Sequence, residues 1–261
     1  MLNFRFAKDY LLHRLKGKNR HGLHSPFVYR LVDEVIYDYK YKDIYNEIEN
    51  IRTQLLSDNQ VISVTDLGAG SLVNNNRQKK ISDIAKNALK PPKLAQLLYR
   101  VVKDLQPRNM IELGTCLGTT SLYLKSAAPD AQLFTLEGCP ETAIVASGVF
   151  SKAGAIDVKQ VIGNFDDTLP EVIKGIEQLD FVFVDGNHQK EATLKYFEWC
   201  LPKVHEHTLL IFDDIYWSEG MKEVWQTIKS HPQVIVTVDL FWIGLVYFKK
   251  GQAKEDFIIR I

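Results

Sequence analysis

The sequence predicts an α/β fold with a doubly wound, mostly parallel sheet whose last strand is antiparallel. From Ile111 onward, short apolar runs alternate with helical patterns, which is the order expected of a parallel sheet with crossover helices. The runs are almost continuously apolar, as strands covered by helices on both faces must be. Because the final two runs have only a short connection, too short for a crossover helix, they predict an antiparallel ending.

The first 90 residues predict a helical appendage that precedes the sheet. The predicted elements there are helices at residues 10–15, 27–37 and 44–56 and a polar, basic loop at residues 74–80. Ser25 and Pro26 form a suitable N-cap and first-turn pair for the second helix. Pro91 and Pro92 separate this appendage (residues 1–90) from a main domain over residues 91–261.

The main domain repeats one strand–loop–helix unit. It opens with a helix at residues 93–105. The predicted strands are residues 110–113, 132–136, 158–162, 181–184, 209–212, 234–239 and 245–248. The predicted helices between them are residues 119–127, 141–153, 167–177, 191–200 and 219–230. Because ligands bind at the carboxyl ends of strands in open parallel sheets, the residues that follow each strand are the candidates for a site.

The composition limits the classes of partner and compartment. Lys plus Arg equals Asp plus Glu at 32 each, so the chain lacks the basic excess of a nucleic-acid-binding protein. The cysteines, Cys116, Cys139 and Cys200, are widely spaced and odd in number, which favours a reducing compartment over a disulfide framework. No apolar run reaches the length of a bilayer span. We therefore expect a cytoplasmic protein with neither nucleic acid nor membrane as partner.

The most informative motif follows the first predicted strand and runs E-L-G-T-C-L-G from Glu112 to Gly118. Gly114 permits a ligand to approach the backbone closely, Gly118 permits tight packing at the helix start, and the free N–H groups there suit an anionic group. The second strand ends at Glu137, where a carboxylate can accept hydrogen bonds from two ribose hydroxyls. The alternative is an ordinary turn followed by a surface glutamate.

This arrangement resembles motifs I and II of class I S-adenosylmethionine-dependent methyltransferases. It is most similar to the catechol O-methyltransferase-like enzymes and the related small bacterial O-methyltransferases, and the resemblance covers residues 93–249. The resemblance implies a Rossmann-like sheet of seven strands, S-adenosylmethionine as cofactor, and methyl transfer to a hydroxyl oxygen of a small molecule. The dinucleotide-binding motif of dehydrogenases differs from this turn because it has a third glycine.

The resemblance also implies which residues would contact the cofactor. They are Glu112, Gly114, Thr115, Gly118, Thr120, Glu137, Gly138, Asn164, Phe165, Asp166 and Asp185. The residues of the first turn would hold the methionine end, Glu137 would hold the ribose, and residues 164–166 would flank the adenine.

Two later strand ends carry three carboxylates, Asp185 after the fourth strand and Asp213 and Asp214 after the fifth. At one edge of a sheet these groups would repel one another unless a cation lay among them, and oxygen ligands select Mg²⁺, Ca²⁺ or Mn²⁺. In the related enzymes, acids at these positions hold Mg²⁺. A cation there would favour loss of the proton from an acceptor hydroxyl. The alternative is that Asp185 binds the cofactor while Asp213 and Asp214 cap a helix or line a loop.

His188 lies three residues after Asp185, where the catechol-type enzymes carry a lysine base. A histidine can move a proton near neutral pH, so Asp185 and His188 are the candidate catalytic residues. A surface or helix-capping role for His188 is the alternative. Trp217 and Trp242 are candidate walls of an acceptor pocket, although large aromatic residues more often belong to the core.

Features of the appendage leave further alternatives open. Residues 65–70 (TDLGAG) also look like the glycine motif, but no acid-terminated strand follows them, so we assign them to a loop. His21 and His24 are weaker catalytic candidates. Because methyl transfer needs water excluded, we expect residues before about Pro91 to cover the cofactor cleft, or that of a partner subunit in a homodimer. The alternative is a dimerisation arm.

Three rival functions remain at this stage. They are metal-independent methyl transfer to oxygen or nitrogen, a non-catalytic module that binds S-adenosylmethionine, and an NAD(P)-dependent oxidoreductase. The missing third glycine argues against the oxidoreductase. The presence of Asp185, Asp213 and Asp214 together argues against the non-catalytic module.

Overall fold

The computed structural model describes residues 4–65 and 77–261. The chain forms two compact units: the first unit comprises Met1–Asp38 and Ile176–Ile261, and the second unit comprises Tyr39–Gly175. A central sheet of eight strands, mostly parallel, confirms the predicted α/β class. The predicted division at Pro91 stays a prediction, because the residues before it contribute to both units.

The helices and strands follow the predicted alternation from the fifth helix onward. The helices are α1 (Phe4–Lys16), α2 (Pro26–Arg30), α3 (Asp43–Ser57), α4 (Ile81–Ala88), α5 (Pro92–Leu105), α6 (Thr119–Ala127), α7 (Pro140–Lys152), α8 (Phe165–Lys174), α9 (Lys190–Cys200) and α10 (Glu219–Ser230). The strands are β1 (Val61–Ser63), β2 (Gln78–Lys80), β3 (Asn109–Leu113), β4 (Gln132–Glu137), β5 (Lys159–Ile162), β6 (Leu179–Val184), β7 (Val204–Asp213), β8 (Val236–Asp239), β9 (Ile243–Tyr247) and β10 (Glu255–Ile258).

The second unit is built on three parallel strands in the order β3-β4-β5. Leu113 lies opposite Leu136, so β3 and β4 end at the same level and bring the turn after β3 beside Glu137. Helices α3 and α4 bury an apolar face in the same core cluster as α5, α6 and α7, with Tyr45 and Ile48 among the buried side chains. At about 1.5–3 kcal/mol for each large apolar side chain removed from water, these appendage helices stabilise the second unit.

The first unit carries strands in the order β10-β8-β9-β7-β6. The pairing of β6 with β7 is parallel, with Val184 opposite Phe212, whereas β9 runs antiparallel to both β7 and β8. The antiparallel hairpin predicted at the end of the core is therefore confirmed. Gly244 in β9 leaves room for the ring of Trp225, because an added Cβ would lie 2.6 Å from that ring.

The strand count and the chain ending differ from the prediction. We expected seven strands with the antiparallel one last, but β10 pairs in parallel with β8 and adds an eighth strand beyond β9. Two of the four residues of β10, Glu255 and Asp256, are exposed acids, so the strand lacks the continuous apolar run that marks the others. In the predicted loop at residues 74–80, Gln78–Lys80 forms β2, which pairs with β1, and residues 74–76 lie outside the described residues.

The N-terminal helices belong to the first unit. The structure confirms the N-cap at Ser25, whose Oγ accepts from the backbone N–H of Val28, with Pro26 in the first turn. The helix continues past α2 as a π-helical segment, Leu31–Ile36, whose apolar side chains are buried. Within residues 4–65 and 77–261, none of the helices combines the length and the apolar character needed to cross a bilayer.

Candidate active site

The glycine turn after β3 has the backbone conformation that its sequence predicts. Gly114 and Gly118 have φ of 103° and 83°, in the region that favours glycine. An added Cβ at Gly118 would lie 2.7 Å from the ring of Phe150, so this position is restricted by packing as well. The N–H groups of Gly114 and Thr115 donate to the carbonyl of Leu136 at 2.9 and 3.2 Å, which fixes the turn to the end of β4.

Glu137 lies at the end of β4 and holds the glycine turn through its carboxylate. Its Oε2 accepts from the N–H of Cys116 at 2.7 Å, and its Oε1 accepts from the N–H of Cys139 at 2.9 Å. Burial raises the pKa of Glu137, and these backbone N–H groups oppose that rise. The side chain of Thr142 and the backbone of Gly138 also interact with this carboxylate, and Glu137 remains partly exposed at the strand end.

Glu112 is fully buried inside β3 and has one unsatisfied oxygen. Its Oε2 accepts from the hydroxyls of Ser121 and, at 2.6 Å, of Thr135. Within the described part of the chain, Oε1 has no hydrogen-bond partner. A buried acceptor without a donor costs about 1–3 kcal/mol, so a ligand that brings an N–H donor would be stabilised here. This orphan oxygen fits the amino group at the methionine end of S-adenosylmethionine.

The pH dependence of stability gives a test of this burial. Burial raises the pKa of Glu112 to about 7 from an ordinary value of 4.5. At a pH between 4.5 and about 7, Glu112 keeps its proton in the folded chain and has lost it in the unfolded chain. The free energy of unfolding therefore falls as the pH rises through this range, by about 3 kcal/mol in total. Glu112→Gln cannot ionise and should lack this fall.

Urea unfolding of ligand-free protein between pH 4 and pH 8 measures the effect. We expect the free energy of unfolding of the wild type, relative to Glu112→Gln, to drop by about 3 kcal/mol across that range. The exposed Glu171, changed to Gln, serves as the matched control and should give a constant difference. A constant difference for Glu112→Gln as well would show that the carboxyl group is not buried as described.

The other candidate cofactor residues lie at the helix starts of the second unit. Thr115 Oγ1 lies 2.6 Å from Thr135 Oγ1, and Thr120 is buried in the first turn of α6. Asn164 is exposed as the N-cap of α8, and its Oδ1 accepts from the N–H of Asp166 at 3.0 Å. Phe165 and Gly138 are both partly exposed.

The first unit brings together a second set of candidates. Asp185 follows β6, Asp213 ends β7, and with His188 they each offer one ligand atom, all within 4.8 Å of one another. Asp213 is buried, whereas Asp185 and His188 are partly exposed. Two carboxylates and an imidazole form a donor set that suits Mg²⁺ or Mn²⁺ and also admits metals that prefer nitrogen. These residues therefore fit a divalent cation.

Asp214, the third predicted carboxylate, lies beside His188. The Nε2 of His188 is 3.9 Å from Asp185 Oδ1 and 3.9 Å from Asp214 Oδ2. Asp214 and Asn187 have φ of 54° and 52°, in the left-handed region, and such strained residues cluster at functional sites. The N–H of Asp214 donates to the carbonyl of Trp242 at 2.8 Å, which fixes the backbone after β7.

The helix-capping alternatives for these residues do not hold. The N-cap of α10 is Ser218, whose Oγ accepts from the N–H of Met221 at 3.1 Å, so Asp213 and Asp214 do not cap that helix. The N-cap position of α9 is Gln189. His188 therefore lies one residue before that cap position.

The remaining candidates are the two tryptophans, the two histidines of the appendage and the second glycine-containing segment. Trp217 and Trp242 are both partly exposed, so neither is a core residue. His21 and His24 are exposed in the first unit. Of residues 65–70, only Thr65 is described, and the rest of that glycine-containing segment lies outside the described residues.

Sequence reasoning missed one buried polar network in the first unit. Asp239 at the end of β8 accepts from Tyr216 Oη at 2.9 Å and from Trp225 Nε1 at 3.0 Å, and His13 Nε2 lies 3.0 Å from its Oδ1. His13 and Asp239 are 226 positions apart, so no local pattern indicates this contact. The isolated acid inside the apolar run 234–248 was the available signal.

Comparisons with known proteins agree with this geometry. Residues 111–215 match the sequence family described as a methyltransferase domain. The chain is 30% identical over 127 residues to a catechol O-methyltransferase from Niastella koreensis, and 34% identical over 126 residues to catechol O-methyltransferase B from Danio rerio. These alignments cover 48% and 46% of this chain, and 57% and 47% of those relatives, so the chain spans about half their length.

Solved structures extend the likeness over most of the chain. The O-methyltransferase TomG from Streptomyces achromogenes, in complex with SAM, aligns with a TM-score of 0.58 at 19% identity, covering 85% of this chain and 95% of that one. An O-methyltransferase from Bacillus cereus, in complex with SAH, aligns with a TM-score of 0.57 at 18% identity, covering 83% and 96%. At these identities the structural likeness shows the fold alone. Residues 111–215 thus match a methyltransferase domain in sequence, and the fold and the glycine turn after β3 agree with that match.

Proposed function

We propose that this chain transfers a methyl group from S-adenosylmethionine to a hydroxyl oxygen of a small molecule. The observation that carries the proposal is the pair of glutamates around the glycine turn. Glu137 presents its carboxylate at a strand end, and Glu112 keeps an unpartnered oxygen in a fully buried position. The named relatives, catechol and other O-methyltransferases, support a hydroxyl as the acceptor group.

In this proposal the second unit binds the cofactor. The turn containing Gly114 and Gly118 contacts the methionine end, while Glu112 accepts from its amino group. Glu137 accepts from the ribose hydroxyls. Asn164, Phe165 and Asp166 at the start of α8 flank the adenine. These assignments rest on the resemblance and, for Glu112, on its unpartnered Oε1.

The acceptor side rests on the carboxylates of the first unit. Asp185 and Asp213, which lie together in the structure, would hold a divalent cation with the predicted third ligand Asp214, and His188 would then act as the base and not as a ligand. Such a cation, when bound, stabilises the deprotonated form of a hydroxyl. His188 would take the hydroxyl proton at Nε2, where the carboxylates of Asp185 and Asp214 stabilise the resulting positive charge. A metal-free mechanism with Asp185 or His188 as base is the second candidate.

The binding of cofactor is tested by calorimetry with S-adenosylmethionine, S-adenosylhomocysteine and NAD⁺. We expect both methionine-derived ligands to bind and NAD⁺ not to bind. Glu137→Ala should weaken S-adenosylhomocysteine binding by about 1–3 kcal/mol, because hydrogen bonds to a carboxylate are lost. Glu171→Ala on α8 is the control and should bind as the wild type does. An unchanged affinity in Glu137→Ala would refute the ribose assignment.

Three further expectations stay proposals: a cytoplasmic location, a homodimer, and a contribution of residues before Pro91 to acceptor binding. A chain beginning at Pro91 does not test the last of these cleanly. It would lack α3 and α4, whose apolar faces are buried in the second unit. Point substitutions of exposed candidates such as Trp217 and Trp242 are the appropriate test.

A further inference from the structure

The N-terminal helix α1 has an inner face that packs on the first unit and an outer apolar face that does not. On the inner side, the rings of Phe6 and Tyr10 each lie 5.0 Å from the ring of Phe241. On the opposite side, Phe4, Leu11 and Leu15 are 85%, 60% and 74% exposed. We call these three residues the outer face of α1.

The outer face is a continuous stripe. Its residues are spaced by seven and four positions, so they lie on one side of an α-helix. Single exposed apolar side chains are ordinary, but a row of three large ones on one helix marks an interaction surface. Nothing in the described part of the chain covers this stripe, although the same helix buries His13 on its other side.

The charge around the stripe indicates the kind of partner. Between residues 4 and 20 the basic residues are Arg5, Lys8, Arg14, Lys16, Lys18 and Arg20, and the single acid is Asp9, so this segment carries a net charge of +5 (6 − 1) in a chain whose net charge is 0. Asp9 pairs with Lys222 of α10 at 2.9 Å, on the protein side of the helix. Arg5 pairs with Glu219 at 3.1 Å and Arg20 with Asp33 at 2.7 Å, so the basic residues outside these ion pairs are Lys8, Arg14, Lys16 and Lys18, and all four are exposed.

We propose that the outer face of α1 docks the protein on an anionic lipid bilayer. Apolar residues on one stripe with Lys and Arg beside them are typical of helices that lie in the membrane interface. The proposal departs from our expectation of no membrane partner, and a surface contact needs no spanning helix.

A second copy of the chain is the less favourable occupant. A two-fold interface through this face would place one basic segment directly against another, because the same patch meets itself. Such like-charge contact opposes association. A bilayer with anionic headgroups instead complements both the apolar stripe and its basic neighbours.

Vesicle sedimentation with the full chain tests the proposal independently of any methyl transfer. We expect binding to vesicles of phosphatidylcholine with one-third phosphatidylglycerol, little binding to phosphatidylcholine alone, and weaker binding at high salt. Leu11→Gln/Leu15→Gln should lower the partition coefficient at least about tenfold, because two apolar side chains leave the bilayer. Ile144→Gln/Ile156→Gln, at residues 69% and 82% exposed on the second unit, is the matched control and should not change binding.

Three outcomes would overturn the proposal. The first is failure of the wild type to bind anionic vesicles, and the second is binding that Leu11→Gln/Leu15→Gln leaves unchanged. The third is a concentration-dependent dimer, seen by sedimentation equilibrium, that this double variant dissociates; the face would then be an interface between copies. Because both leucines are exposed, we expect thermal unfolding of the variant to match the wild type, which excludes a folding defect as the cause of lost binding.

Discussion

Methyl transfer should be lost on addition of EDTA and restored by Mg²⁺ or Mn²⁺, and Asp213→Ala should lower kcat/KM by about a thousandfold. Asp213 is the buried member of the Asp185, His188 and Asp213 cluster, so its carboxylate cannot be replaced by water without rearrangement. A cation that stabilises a developing oxyanion contributes several kcal/mol to the transition state, and each 1.36 kcal/mol is a factor of ten in rate.

Metal binding gives a readout of this site that does not depend on turnover. Titration of Mn²⁺ followed by electron paramagnetic resonance should show one site in the wild type and none in Asp213→Ala. The exposed Asp167 on α8, changed to Ala, is the control and should keep both metal and activity. Full activity in chelator would favour the metal-free mechanism, in which Asp185 or His188 is the base, over the one proposed here.

The long periodic elements could be predicted because their signals are local. Helix α10 begins after Ser218 and α6 after Gly118, and both match the predicted bounds because a cap residue or a left-handed glycine marks the start. Strand β10 was not predicted, because its exposed acids interrupt the apolar run. Strand β1 lies in the run Val61–Val64, which is strand-like in sequence, but β2 was not predicted because Gln78–Lys80 is a three-residue stretch of a basic segment.

The candidate site was predictable to the extent that topology fixes it. A parallel sheet ends its strands at one edge, so Glu112 and Glu137 could be placed from the sequence, as could Asp185 and Asp213. The hydrogen-bond partners of each side chain could not be predicted. Glu112 keeps an unpartnered oxygen, while Glu137 accepts from two backbone N–H groups. Both arrangements depend on the packing of α6 and α7, which cannot be predicted from a local sequence pattern.

Asp239→Ala should destabilise the protein by about 3–5 kcal/mol, the largest stability effect that we expect of a single substitution. Asp239 is buried, and its Oδ2 accepts from both Tyr216 Oη and Trp225 Nε1. Its Oδ1 accepts from the N–H of Phe241 at 2.9 Å and lies 3.0 Å from His13 Nε2. Removing the carboxylate leaves buried donors without an acceptor, and breaking a buried pair from one side costs about this much.

The same network connects α1 to the backbone around Asp214. The N–H of Phe241, which Asp239 holds, belongs to a residue with φ of 73°, an unfavourable conformation for a non-glycine residue. The next residue, Trp242, accepts through its carbonyl from the N–H of Asp214. A change that loosens the turn at Phe241 should therefore also weaken the binding of Mn²⁺. Asp239→Asn is the variant for this test, because it keeps one acceptor oxygen and should stay folded.

Urea unfolding measures the loss of stability in Asp239→Ala, with a matched substitution on the neighbouring strand as the control. Asp256 of β10 is exposed and accepts one hydrogen bond, from Thr237 Oγ1 at 2.6 Å, so Asp256→Ala should cost only about 1 kcal/mol. Asp239→Asn should fall between the two alanine variants, since it keeps an acceptor but loses the charge that faces His13. Equal losses of stability in Asp239→Ala and Asp256→Ala would mean that the buried network around Asp239 contributes no more than a single surface hydrogen bond, which would contradict this prediction.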